Sequence, residues 1–280
     1  MALSPFDASS LFLVSILAGA LGALGGVGGG LIIVPVLTLA YGVDVRVAAG
    51  ASIVAVIATS SGAAAAYVRD GLANLRIGMF LELATTTGAV VGALAAGLLA
   101  QSTLLIILGL VLLGSVAAQL RRLDEAPGAP TPAAPGRLRL TGTFRSVRLQ
   151  RDVRYGTRRV PFGFLLMWVA GVMSGLLGIG SGALKVVAMD GVMGMPMKVS
   201  SATSNFMIGV TAAASAGIYL SRGDIDARLA APVALGVLVG AVIAARAMGR
   251  LSNRAVRLVF LPVLVVIGLE SILRGLGIRV

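Results

Sequence analysis

The sequence predicts an all-α polytopic membrane protein made of two homologous halves. Three observations carry that expectation: a composition too apolar for water, eight long apolar segments, and an internal repeat. Of 280 residues, 58% are hydrophobic and 12% charged, with a mean hydropathy of +0.99. A soluble domain carries roughly 25% charged residues. Half that share cannot coat a 28.2 kDa globule. A soluble enzyme and a free nucleic-acid binder are thereby excluded, and a lipid bilayer is the expected solvent.

The net charge of +12 is concentrated in one place. Residues 121–160 hold ten arginines against three acids, which is +7 of the +12. Cysteine and histidine are both absent. Disulfides, iron–sulfur clusters, zinc, haem and histidine proton relays thus lose their usual parts. No cofactor, metal or nucleic-acid partner is implied.

A helix needs about 20 apolar residues to cross a bilayer. The candidate segments are 10–41, 47–68, 75–100, 103–120, 161–194, 199–220, 226–248 and 254–273. The N-terminal run has no basic leader and does not stop where a cleaved signal would, so it reads as the first membrane segment. Segments 10–41 and 161–194 are too long for one crossing, and each carries a glycine cluster near its middle.

Those two segments open a repeat. Displaced by 152 positions, residues 19–97 lie on 171–249 without a gap, with 21 of 79 identical. The matches include Gly26/Gly178, Gly28/Gly180, Gly30/Gly182, Ser52/Ser204, Thr59/Thr211, Tyr67/Tyr219 and Arg76/Arg228. The chain therefore divides into a first repeat (1–120), a basic linker (121–160) and a second repeat (161–280). Such duplications are typical of secondary transporters.

Arginine placement bears on their relative orientation, because short cytoplasmic loops gather Lys and Arg. With the linker inside, a single crossing by 161–194 would put Arg246, Arg250, Arg254 and Arg257 around an outer loop. If 161–194 enters and returns, that loop falls inside. The second arrangement is preferred: each half has a re-entrant or broken helix pair plus about three crossings, and the halves are inverted. Arg46, Arg274 and Arg279 on the outer side count against it.

The clusters are Gly25-Gly26-Val27-Gly28-Gly29-Gly30 and Gly178-Ile179-Gly180-Ser181-Gly182, each followed by eleven residues. Eleven helical residues span about 16 Å, half a hydrocarbon core. Irregular backbone at that depth is tolerated only inside protein or around a water-filled cavity. Two half-helix N-termini would there offer N–H groups and positive dipole to a small anion. Close helix packing through small residues is the competing explanation.

The run G-G-V-G-G-G-L-I-I-V-P-V-L, the eight-segment layout and a degenerate second copy after a polar linker resemble the TauE/SafE sulfite exporter family. The resemblance spans 11–120 and 162–273 but not the linker. In the second copy Ser181 stands where the family more often has Gly, and Val187 where Pro would align. The resemblance implies transport, often by efflux, of sulfite, sulfonates or related small organic anions; alternating access around a site near the midplane, in a bacterial inner membrane, is the expected mechanism and place.

Lys185 lies three residues after Gly182. An ammonium at mid-bilayer costs at least about 2.5 kcal/mol, so an anionic substrate, Glu82 or Asp190 is expected to offset it. A lysine snorkelling from a shallow position is the alternative. Ser201, Ser204 and Asn205 share a helix face, and Ser52 occupies the matching position in the first half. Their hydroxyl and amide groups suit sulfonate oxygens or serve interhelical bonds. The expected anion site thus comprises Gly26, Gly28, Gly29, Gly30, Gly180, Ser181, Gly182, Lys185, Ser52, Ser204 and Asn205. Glu82 stands alone in an apolar span and is the candidate for proton coupling. Thr59 and Thr211 are expected to pack, Trp168, Tyr67 and Tyr219 to anchor at interfaces or pack, and Asp44 has no expected role.

The linker begins with a proline-rich spacer at 126–136 and continues with alternating basic and apolar residues at 137–159. That alternation fits a short strand pair or a segment lying on anionic headgroups. An intramembrane enzyme lacks His, Cys or paired carboxylates; an anion channel and a non-transporting assembly factor are the other rivals.

Overall fold

The computed structural model describes residues 5–25, 29–69, 71–124, 140–146, 151–247 and 253–278. Among them are ten α-helices and one two-stranded hairpin. The first half comprises α1 (Pro5–Gly25), α2 (Gly30–Pro35), α3 (Val45–Arg69), α4 (Leu75–Leu98) and α5 (Gln101–Asp124). The second comprises α6 (Val160–Leu177), α7 (Gly182–Val186), α8 (Met197–Ser221), α9 (Ala227–Ala247) and α10 (Asn253–Gly275). The all-α expectation holds, and both overlong segments break at their glycine clusters. Each short helix runs on into a π turn, Val36–Ala40 after α2 and Val187–Val192 after α7, which the sequence did not announce. Each composite half-helix is eleven residues long, as expected.

Local signals set the helix ends. Asp44 Oδ1 accepts the N–H of Arg46 (2.8 Å) at the start of α3, and Asp226 Oδ1 that of Arg228 (2.8 Å) at the start of α9. Asn74 Oδ1 accepts the N–H of Ile77 (3.0 Å) and caps α4. Short polar side chains are favoured there because they satisfy orphan helix N–H groups. Asp44 thus has a role after all. The two π turns close identically: Val43 N donates to Leu37 O (3.0 Å) and, 152 residues on, Met195 N to Met189 O (2.9 Å). Gly42 (φ +65°) and Gly194 (φ +71°) follow in the left-handed region, which only glycine enters without strain.

The overlong segments fold back on themselves. Arg158 N donates to Met193 O (3.0 Å), so the chain entering α6 meets the chain leaving the second π turn. Ser10 and Tyr41 make the corresponding contact in the first half (3.1 Å between hydroxyls). Both segments therefore enter and return at one end of the bundle.

The halves interlock. α4 packs along α6 and α9 along α1, while α3 lies on α8 and α5 on α10. Gly171 and Gly175 of α6 press on the backbones of Thr85 and Ala89 of α4, so these two helices run parallel. Gly236 and Gly240 meet Phe12, Ile16 and Ala20 in the same sense. The repeat-related pairs run the other way. Gly109 faces Ile272 and Gly268 faces Leu113; Gly50 faces Asp224 and Gly209 faces Ser60. Glycines four apart let the backbones approach this closely.

Leu13, Leu17, Leu83, Leu94, Leu110, Leu165, Leu235 and Val266 are all more than half exposed. A soluble protein does not leave so many large apolar side chains in water. Four helices of the described residues, within α4, α5, α6 and α9, are long and apolar enough to span a bilayer. The chain is an integral membrane protein.

Of the readings left open for the linker, a strand pair forms. β1 (Gly142–Ser146) pairs antiparallel with β2 (Arg151–Tyr155), Phe144 opposite Val153. It docks on the bundle through Tyr155, which is buried and accepts a hydrogen bond from Asn74 Nδ2 (2.8 Å). Burial pushes that phenol above its usual range, so it stays neutral. Leu140, Tyr155, Ile77, Leu81 and five methionines (167, 189, 193, 195, 207) form an apolar cluster there.

Candidate substrate site at the helix breaks

The two glycine breaks meet between α3 and α8. A Cβ on Gly30 would lie 2.7 Å from Ser52 Oγ and 3.2 Å from Gly178 O, so glycine is required for this approach. Gly178 (φ +68°) and Gly180 (φ +72°) supply the left-handed backbone that turns α6 into α7. Ser181 is left-handed too (φ +44°), which costs a residue with a Cβ about 1 kcal/mol or more. The first break differs. Gly29 is right-handed (φ −64°), Gly30 starts α2, and Gly26 and Gly28 lie outside the described residues.

Side chains satisfy the carbonyls freed by the second break. Ser52 Oγ donates across the halves to Gly178 O (2.8 Å), and Ser204 Oγ to Gly182 O (3.3 Å). The Tyr219 hydroxyl lies 2.8 Å from Gly175 O and 3.1 Å from Leu176 O in the last turn of α6. Tyr219 is therefore no interface anchor: it is fully buried and serves a helix end that water cannot reach. Tyr67 has no described side chain, and Trp168 is partly exposed. Asn205 Nδ2 bonds back to Ser201 O (3.1 Å) on its own helix.

Lys185 is fully buried, so it does not snorkel. Its Nζ donates to Thr211 Oγ1 (2.5 Å), and that hydroxyl lies 2.6 Å from Glu82 Oε1. Thr86 also donates to Glu82 Oε1 (3.1 Å), and Thr85 Oγ1 lies 3.3 Å from Thr211 Oγ1. Lysine from α7, threonine from α8 and glutamate from α4 thus form one buried chain. Thr211 was expected only to pack. Its signal was the repeat match with Thr59, but Thr59 bonds merely to Ala55 O (3.0 Å) and Val56 O (3.2 Å) of its own helix. Because the repeat is asymmetric here, with Ile33 and Ala234 opposite Lys185 and Glu82, Thr59 could not reveal what Thr211 does.

Two hydroxyls in this region are buried without a partner, Ser181 Oγ and Ser200 Oγ, as is Glu82 Oε2. The N–H of Lys185 donates to Ser181 O (3.1 Å), so the two residues bracket the first turn of α7. The arrangement offers an unfilled donor and a buried cation together, at a helix start whose first N–H groups have no intrahelical acceptor.

Broken helices around a buried polar cluster in a helical membrane protein are a feature of transporter folds. Residues 11–271 match the sulfite exporter TauE/SafE family, and the chain belongs to that family of membrane transporters. It is 25% identical over 274 residues to "Probable membrane transporter protein YunE" of Bacillus subtilis, covering 95% of this chain and 97% of that relative. It is 26% identical over 250 residues to "Probable membrane transporter protein YdhB" of the same organism, covering 84% and 86%. No solved structure matches.

Proposed function

We propose that this chain carries sulfite or a related sulfur-containing anion across the bilayer by alternating access. The substrate class rests on the family. The observation that carries the site is the fully buried Lys185 one turn after the unpartnered Ser181, where the two breaks meet. The anion binds Lys185 Nζ, Ser181 Oγ and the first N–H groups of the second half-helix, from Gly180 to Gly182. Gly29 and Gly30 close the opposite side. Ser52 and Ser204 position the break, and Asn205 is a peripheral donor.

The halves are inverted repeats. The antiparallel course of α3 against α8, and of α5 against α10, supports this, because partners related by the repeat then differ by a two-fold axis in the membrane plane. The linker end faces the cytoplasm, where its arginines meet anionic headgroups, at about 1 kcal/mol each.

The test is [35S]sulfite flux into proteoliposomes. Wild type should show saturable uptake and counterflow, and Lys185→Met should raise KM by at least about tenfold, the equivalent of 1.4 kcal/mol. Equal KM in the two proteins would remove Lys185 from the site.

A further inference from the structure

We propose that Glu82 is the proton-binding group of this carrier, and that Lys185 exchanges its counter-charge between Glu82 and the transported anion, so that one proton moves with one anion. This rests on the transport reading above. The geometry that points to it is the single hydroxyl between the two charges. Thr211 Oγ1 accepts from Lys185 Nζ and has one proton to give, with Glu82 Oε1 at 2.6 Å and Met207 O at 2.8 Å as its nearest acceptors and Thr85 Oγ1 farther off at 3.3 Å. An ionised Glu82 takes that proton, because a charged acceptor makes the stronger bond. Glu82 Oε1 already receives two hydroxyls, whereas Oε2 is buried with no partner, so an incoming proton goes to Oε2. The neutral acid holds the Thr211 proton less strongly, and the hydroxyl turns to Met207 O in its own helix.

Lys185 is then a buried cation without a counter-charge, which is costly in a low-dielectric interior. An anion at Ser181 and Lys185 restores neutrality; with Glu82 ionised, the same anion would make the site net negative. Few other charges can stand in. α6, packed along α4, has no titratable residue. α8 has Lys198 in its first turn and Tyr219 near its far end, and α3 has Arg46 and Arg69 at its ends and Tyr67 beside Arg69. Asp190 lies beyond Lys185 in the π turn, and Arg76 lies at the start of α4. The repeat places Ile33 of the first half opposite Lys185 and Ala234 of the second half opposite Glu82, so the duplication supplies no second such charge pair.

The experiment loads [35S]sulfite into proteoliposomes under an inward proton gradient, with protein-free vesicles subtracted and the membrane potential clamped. One coupled proton supports about tenfold accumulation per pH unit, the equivalent of 1.4 kcal/mol. Wild-type accumulation should therefore rise about tenfold more per unit than that of Glu82→Gln. Thr211→Val, which keeps both charges and nearly the same shape, should fall between them and guards against misfolding of the first variant. A gradient response in Glu82→Gln equal to wild type overturns the coupling while leaving transport standing. No sulfite counterflow in wild type overturns both.

Discussion

Ser181 shows most directly how a residue departs from the pattern its position favours. Its backbone is left-handed, it begins a helix without capping it, and its hydroxyl is buried and unpaired. Each of these is unfavourable, and glycine would remove the left-handed strain and the unpaired hydroxyl. Strain of this kind collects at functional sites. Ser181→Gly should therefore stabilise the protein by about 1 kcal/mol through relief of the left-handed Cβ, while weakening protection by anion. Thermal unfolding with and without sulfite reads both effects. A variant that gains stability and keeps the full sulfite-induced shift would show that the hydroxyl does not touch the anion. Arg46 is another residue whose position goes against a rule. Its guanidinium donates to Ala96 O (2.9 Å) and Leu99 O (2.6 Å), carbonyls at the end of α4. Arg46 thus caps a helix C-terminus, a role that does not depend on which side of the membrane it occupies.

At the scale of elements, the eight apolar segments and both breaks were legible because lipid imposes long apolar runs and glycine clusters interrupt them. The π turns were not, because no residue type marks an i→i+5 bond. Nor was the polar chain: Glu82 and Thr211 are 129 positions apart, and only packing of α4 on α8 brings them together. Asn74 joins three elements. Its side chain caps α4 and donates to Tyr155 of the hairpin, and its N–H donates to Thr203 Oγ1 of α8 (3.0 Å). Asn74→Ala loses the cap and leaves the buried phenol short of a donor, at about 2 kcal/mol. Asn74→Asp keeps the cap, since aspartate accepts equally well, and exchanges the neutral donor to Tyr155 for an acceptor of its hydroxyl, while losing the donor to Thr141 O (3.5 Å). It should cost less, and the difference should appear as faster proteolysis of the linker. Equal linker protection in wild type and both variants would show that this bond does not hold the hairpin.

At the scale of the molecule, the interlocked halves set what can move. Each half's first helix packs against the other half, α1 on α9 and α6 on α4, through close glycine contacts. The five buried methionines lie around the returning chain at the linker end, where unbranched side chains fill irregular space. The inverted orientation proposed above can be tested directly, because the chain has no cysteine of its own. Gln101 begins α5, and Asn253 begins α10, its counterpart 152 residues later. If the halves are inverted, these two helix starts lie on opposite sides of the membrane. A single cysteine at 101 should react with an impermeant maleimide added to intact cells, and one at 253 only after the cells are opened. Labelling of both from outside would mean that α5 and α10 enter from the same side. A two-fold axis along the membrane normal would then have to replace the one in its plane.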